Sequence, residues 1–333
     1  MQEKDIISNR YLAVNERFAQ ICNNTLFDGR PLILPEKLVS LDRTEAYIPS
    51  DKAKTGRRGR PQASQLYRDI LKLYDNRLLI LMLGIENQTH ITSLMPLRQL
   101  LYDALRYQKQ REDIARVHRK RKDLKDEEFI SGFSREDRLV PILNLVVYWG
   151  TKPWDGPLRL HEILDIKSDL VEYRDKINDY RINLLDVGRM ENLEDYHGEL
   201  KALLGFVKYQ ADQQALGRFV AQNETLFSHV SQETTQAMAV LGNTRNLESY
   251  IQYEQNKEDM LMYGDVNEAI QGMMNDKWKE GEAKGLIKGE RQKTHQVARN
   301  MYIRGFSAQD AAGLLDEPVE RVEAWYQKWD QEG

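Results

Sequence analysis

QLYRDILKLYDNRLLILMLGIENQ, residues 65–88, sets two runs rich in apolar residues on either side of Asp75-Asn76. That pair tolerates turn conformations, so the segment predicts a β-hairpin. Asp69 lies in its first strand, while Glu86 and Gln88 end the second, two residues apart and therefore on one face. An acid on one strand beside an acid-x-polar triplet on its neighbour suits a hard cation. The carboxylates of Asp69 and Glu86, with the backbone carbonyl of Asn87, would hold Mg²⁺, or another divalent ion such as Mn²⁺, that keeps water for a substrate phosphate. Such an ion supplies Lewis acidity and lowers the pKa of an attacking water. A two-residue turn sets Asp69 opposite about Met82 and leaves Glu86 roughly 13 Å further along, so a bulge is expected to close the gap. By spacing alone, the same acids also read as ordinary solvent-facing residues.

Upstream, residues 5–24 predict one amphipathic helix, and DKAKTGRRGRP at 51–61 predicts a basic loop that includes Arg57 and Arg58. Downstream, Pro96 opens a helical pattern on which Arg98 and Tyr102, four apart, share a face beside the hairpin. They are placed to hold a scissile phosphate or to fix Glu86. The helix runs into residues 109–125, where eight Lys/Arg include Arg119, Lys120, Arg121 and Lys122. With the 52–60 cluster this makes two basic surfaces able to follow a phosphate backbone. Interspersed acids keep a merely solvated face as the alternative. LVPILNLVVYW at 139–149 predicts a strand buried on both faces, and RINLLDV at 181–187 a weaker one.

The order helix, hairpin, helix, strand, strand predicts a mixed α/β domain over residues 1–188. Residues 189–276 read as a helical extension without strands. Residues 277–333 read as a helix with Gly281, Gly285 and Gly289 spaced by four, then a small helix-turn-helix-like tail capped at Ser307. The chain of 333 residues carries 48 Lys+Arg against 52 Asp+Glu, a net charge of −4, so any nucleic-acid site must be local. A single cysteine, Cys22, excludes disulfides and thiolate metal cages within the chain. The opening MQEKDIISNR lacks the pattern of a signal peptide, and the longest apolar run, residues 78–85, is too short for a bilayer. A cytoplasmic protein with no membrane partner is expected.

NERFAQICNNTLFDG (15–29), RDILKLYDNRLLILMLGIENQTHITSLMPLRQLLYDALRYQ (68–108), VPILNLVVYWGTKPWDGPLRLHEIL (140–164) and INLLDV (182–187) resemble, in order, the Rpn family of recombination-promoting nucleases, also called YhgA-like transposases. The tail segments EGEAKGLIKGE (280–290) and ARNMYIRGFSAQDAAGLL (298–315) are similar to the ends of family members. The resemblance implies a PD-(D/E)XK restriction-endonuclease-like core, a mixed sheet flanked by helices, followed by an α-helical C-terminal region. It also implies Mg²⁺-dependent cleavage of DNA, in recombination or mobile-element rearrangement. On it, Asp69 matches the first motif acid, Glu86 the second, and Gln88 the position more often held by lysine. Glu16 is the candidate for the acid that many superfamily members carry on the first helix. Because glutamine supplies no positive charge, a DNA-binding or accessory protein with a decayed nuclease site stays open beside the active endonuclease.

The acids, hairpin and basic clusters all precede residue 190, whereas the tail offers period-four glycines and apolar positions suited to homo-oligomerisation. Removing residues 277–333 is therefore expected to preserve cleavage and lower the oligomeric state by light scattering. An unchanged oligomeric state together with lost cleavage would place an essential contact in the tail.

Overall fold

A computed structural model describes residues 3–42, 44–47, 64–77, 80–244, 247, 253–255 and 262–332. The chain forms two compact units, Met1–Ala269 and Ile270–Gly333, and the expected boundary at 188 falls inside the first. The basic cluster at 52–60, with Arg57 and Arg58, lies outside the described residues.

The first unit opens with two helices, α1 (Glu3–Leu12) and α2 (Asn15–Leu26), where the sequence predicts one. Val14 is extended at the break, and the buried Lys72 ammonium donates to the freed Ala13 carbonyl at 2.6 Å and to Asn15 Oδ1. A distant cation thus satisfies the carbonyl that the next helical turn would have used. α2 then buries Phe18, Ala19, Ile21 and Cys22.

The strands are β1 (Leu38–Ser40), β2 (Thr44–Tyr47), β3 (Ser64–Tyr67), β4 (Ile70–Asp75), β5 (Ile80–Gln88), β6 (Ile142–Tyr148) and β7 (Asn183–Asp186). β2 and β3 pair with each other, and the rest form a mixed sheet of order β1-β4-β5-β6-β7. β1, β4 and β5 are antiparallel neighbours, whereas β6 runs parallel to both β5 and β7. The parallel crossover from β5 to β6 carries α3 (Met95–Arg121) and α4 (Asp126–Ser131). β6 is buried as its apolar run predicts, with Leu145, Val146 and Val147 fully enclosed.

The predicted hairpin forms, but not with a two-residue turn. Asp75 pairs with Ile80 and Ile70 with Ile85, so four residues separate the paired ends. Asp75 Oδ1 accepts from the Arg77 backbone N–H at 2.8 Å, and Arg77 takes a left-handed φ of 73°. Asp75 is thus the last strand residue, and its side chain starts the turn instead of occupying it.

Beyond residue 191 the first unit is helical through α5 (Gly198–Tyr209), α6 (Gln213–Gln222), α7 (Glu224–Phe227) and α8 (Gln232–Leu241). The expectation of no strands there is corrected by a small sheet of β8 (Val230–Ser231), β9 (Tyr253–Gln255) and β10 (Met262–Gly264). Strands of two or three residues are too short to print an alternating pattern. α8 packs on α1: Thr234 Oγ1 donates to Tyr11 Oη at 3.1 Å, and Arg17 reaches Glu233 at 2.7 Å while lying over the Tyr11 ring.

α9 (Asn267–Ile303) is the long helix that carries Gly281, Gly285 and Gly289. It leads to α10 (Ala308–Leu315) and α11 (Val319–Glu332), which close on Ala311, Ala312 and Val322. Ser307 Oγ accepts from the Asp310 N–H at 3.1 Å, the predicted cap. No described helix is long and apolar enough to cross a membrane.

On the sheet, Gly84 leaves room for a buried polar cluster. Arg68 donates to Asn144 Oδ1 and, at 2.7 Å, to Asp103 Oδ1, and Tyr180 donates to Asp103 Oδ2 at 2.6 Å. A Cβ on Gly84 would lie 2.6 Å from Asn144 Oδ1 and 2.9 Å from Arg68 Nη1. Gly84→Ala is expected to lower unfolding stability by about 1–3 kcal/mol in urea titrations, since neither neighbour can move without breaking the cluster. A stability equal to wild type would show that the cluster yields freely.

Candidate active site

Asp69 sits one residue before β4. Extending the Ile70–Ile85 register by one places it directly across from Glu86. The expected four-residue offset, and the bulge needed to close it, disappear because the turn is longer. Asn87 N–H donates to Asp69 Oδ2 at 2.8 Å, and the Asp69 backbone N–H reaches the Glu86 carboxylate. The two acids therefore hold each other's strand ends. They line an open cleft of about 360 Å³ with Asp5, Gln88 and Arg98, at the carboxyl end of the parallel strand β5.

Burial dominates the electrostatics. Glu86 is 2 % exposed, and its carboxyl is pushed up to about 8, first by loss of water and then by Asp69, against the pull of Arg98. Asp69 is also raised by burial, while hydrogen bonds from Asn9 and Asn87 work the other way. Arg98 Nη2 pairs with Glu86 Oε1 at 2.7 Å, and its Nε donates to the Tyr102 hydroxyl at 3.0 Å. Of the two roles foreseen for Arg98 and Tyr102, fixing Glu86 is the one the geometry displays. Burial works against the Arg98 charge, yet the Glu86 carboxylate raises its pKa, so the guanidinium stays charged.

Glu86 Oε2 is buried and has no hydrogen-bond partner. An orphaned carboxylate oxygen beside a second acid fits a hard cation better than it fits a finished protein core. Among the described residues no group of three or more His, Cys, Asp or Glu forms a metal cage. The donor set therefore suits an ion held by two carboxylates and otherwise by water, as Mg²⁺ commonly is.

The remaining sequence candidates divide. Gln88 Nε2 points to Glu86 Oε1 at 3.5 Å, the outer limit of a hydrogen bond. Asn87 acts here through its backbone N–H and side-chain amide: Nδ2 donates to Asn9 Oδ1 at 2.6 Å and Oδ1 accepts from Trp149 Nε1 at 2.8 Å. Glu16 is exposed in the first turn of α2 and does not line the cleft. The acid of the N-terminal helices that does line the cleft is Asp5 of α1. Arg119, Lys120, Arg121 and Lys122 are exposed at the far end of α3, roughly 30 Å along the helix axis from Arg98. There they complement the negative helix terminus and lie away from the acids. Asn9 and Trp149 carry no signal in the sequence: Asp5 and Asn9 share a helix face by their spacing of four, but nothing local announces a contact with residue 69.

The raised Glu86 carboxyl makes stability depend on pH. Its folded value lies above its unfolded one, so its contribution is complete below about pH 4.5 and is lost as pH rises through about 8. Glu86→Gln should therefore flatten the pH dependence of Tm and make the protein more stable than wild type above pH 8, on the order of a few kcal/mol. Parallel Tm-against-pH curves for the two proteins would contradict the burial of a strained charge.

A family model described as "Putative transposase, YhgA-like" matches residues 79–238, a span that starts in the hairpin and reaches α8. No curated protein and no solved structure matches the chain significantly. The matched span holds Glu86, Gln88, Arg98 and Tyr102, while Asp69 and α1 come from the segment before it. Over residues 79–238, just under half of its length, the chain is similar to the YhgA-like transposase family.

Proposed function

We propose that the protein is a divalent-cation-dependent DNA endonuclease with a PD-(D/E)XK-type site, acting in DNA rearrangement. The observation that carries this reading is the pairing of Asp69 with Glu86 across one ladder position, both withdrawn from water, with Glu86 Oε2 left unsatisfied. A bound Mg²⁺ or Mn²⁺ supplies Lewis acidity toward the scissile phosphate and a lowered water pKa. Asp69 and Glu86 would hold the ion, and Asp5 adds negative charge at the cleft wall. Arg98 neutralises one Glu86 oxygen, and its side chain, 44 % exposed, also faces the space where a phosphate would enter. Gln88 orients water through its amide without supplying charge. In the hydrolysis a water oxygen bonds to phosphorus and gives up a proton to solvent, the bond to the leaving oxygen breaks, and that oxygen takes up a proton from solvent. The exposed Arg119–Lys122 run suits a duplex that extends along α3.

The Arg98–Glu86 ion pair favours a second reading, in which the guanidinium has taken the cation's place and the protein binds DNA without cutting it. Plasmid nicking separates the two. Wild type should nick in Mg²⁺, Asp69→Ala and Glu86→Ala should fall to background with DNA affinity largely kept, and Gln88→Ala should slow cleavage less than either. Gln88→Lys should remain active. A wild type that binds plasmid yet never nicks it supports the second reading.

A further inference from the structure

A relay of hydrogen bonds behind the cleft ends on Asp69. Trp149 Nε1 donates to Asn87 Oδ1 at 2.8 Å, Asn87 Nδ2 donates to Asn9 Oδ1 at 2.6 Å, and Asn9 Nδ2 donates to Asp69 Oδ1 at 3.0 Å. All three relay residues are buried: Trp149 is 1 %, Asn87 3 % and Asn9 8 % exposed. Each comes from a different element, namely β6's end, β5 and α1.

The direction of this relay is not free. An amide side chain can turn over and exchange its oxygen for its nitrogen, so two amides in series have no intrinsic polarity. An indole nitrogen can only donate. Because Trp149 donates, Asn87 must present its oxygen to the indole and its NH₂ to Asn9. Asn9 must then present its oxygen to Asn87 and its NH₂ to Asp69. A donor-only group at one end thus delivers a donor to the carboxylate at the other.

We propose that Trp149, Asn87 and Asn9 are positioning residues that fix the Asp69 carboxylate for cation binding, with the indole setting the orientation of both amides. This rests on the nuclease reading for its purpose, though not for its geometry. The Asn87 backbone N–H holds the second Asp69 oxygen at 2.8 Å, so the carboxylate is pinned at both oxygens, by Asn9 on one side and by β5 on the other. Partners of this kind around metal-binding carboxylates and histidines commonly change metal affinity about 10–100-fold.

The test reads the relay with and without metal. In NMR spectra the Trp149 indole N–H, assigned with Trp149→Phe, should shift when Asp69 is changed to Ala. That shift should vanish in an Asn9→Leu background, where the middle link is replaced by an apolar side chain of similar size. Asn9→Ala serves if Asn9→Leu fails to fold. In calorimetry with Mn²⁺, the Asn9 variant should bind about 10–100-fold more weakly than wild type. An indole resonance indifferent to Asp69→Ala, or a shift that persists in the Asn9 variant, overturns the relay. Mn²⁺ affinity lost in Asp69→Ala but unchanged in the Asn9 variant overturns the positioning role. A wild type that takes up no Mn²⁺ sinks the nuclease reading and with it the cation-binding purpose, while the indole shifts still decide whether the relay reaches Asp69.

Discussion

Two carboxylates face each other across one rung of an antiparallel ladder, and both have lost most of their contact with water. Like charges so placed repel strongly, because the surroundings screen them far less than water would. The ladder prevents them from drifting apart. Relief must come from a proton, from a protein cation or, on the proposed reading, from a bound ion. The carboxyl of Glu86 is raised to about 8, Arg98 pairs with one of its oxygens, and the other oxygen is buried without a partner.

The surrounding elements follow from that constraint. α3 begins at the mouth of the cleft and brings Arg98 to Glu86 and Tyr102 to Arg98. α1 supplies Asn9 to Asp69 and sets Asp5 in the cleft wall, and the chain breaks at Val14 before α2 begins. The Arg68 cluster lies beneath, with its guanidinium 5.1 Å from the centre of the Tyr102 ring. It joins the residue before Asp69 to α3 and β6, so the ends that carry the acids are braced from within the sheet.

Much of this is readable from the residues. The apolar runs locate β4, β5 and β6, Pro96 opens α3, and the acid-x-polar triplet identifies Glu86 and Gln88 as neighbours on one face. The register of the hairpin is not readable, because alternation defines a strand without defining where its turn begins. Here a strand-ending Asp75 and a left-handed Arg77 lengthen the turn, and arginine carries no turn signal. The helical pattern passes through Val14 without interruption, so a helix over 5–24 carries Asp5 and Glu16 alike and does not tell which acid reaches the cleft. The carbonyl freed at the break is satisfied by Lys72, more than fifty residues away in the chain. Asn9 and Trp149 are unreadable for the same reason: their role exists only once α1, β5 and β6 have met.

On the proposed reading, the Asp69–Glu86 pair exchanges a proton for a cation. Calorimetry of Mn²⁺ binding in buffers of different ionisation enthalpy measures that exchange directly. At pH 7 the account predicts release of about one proton per ion, fading as pH rises past about 8 and absent in Glu86→Gln. Mn²⁺ uptake with no proton release at pH 7, or uptake unaltered by Asp69→Ala, would contradict it.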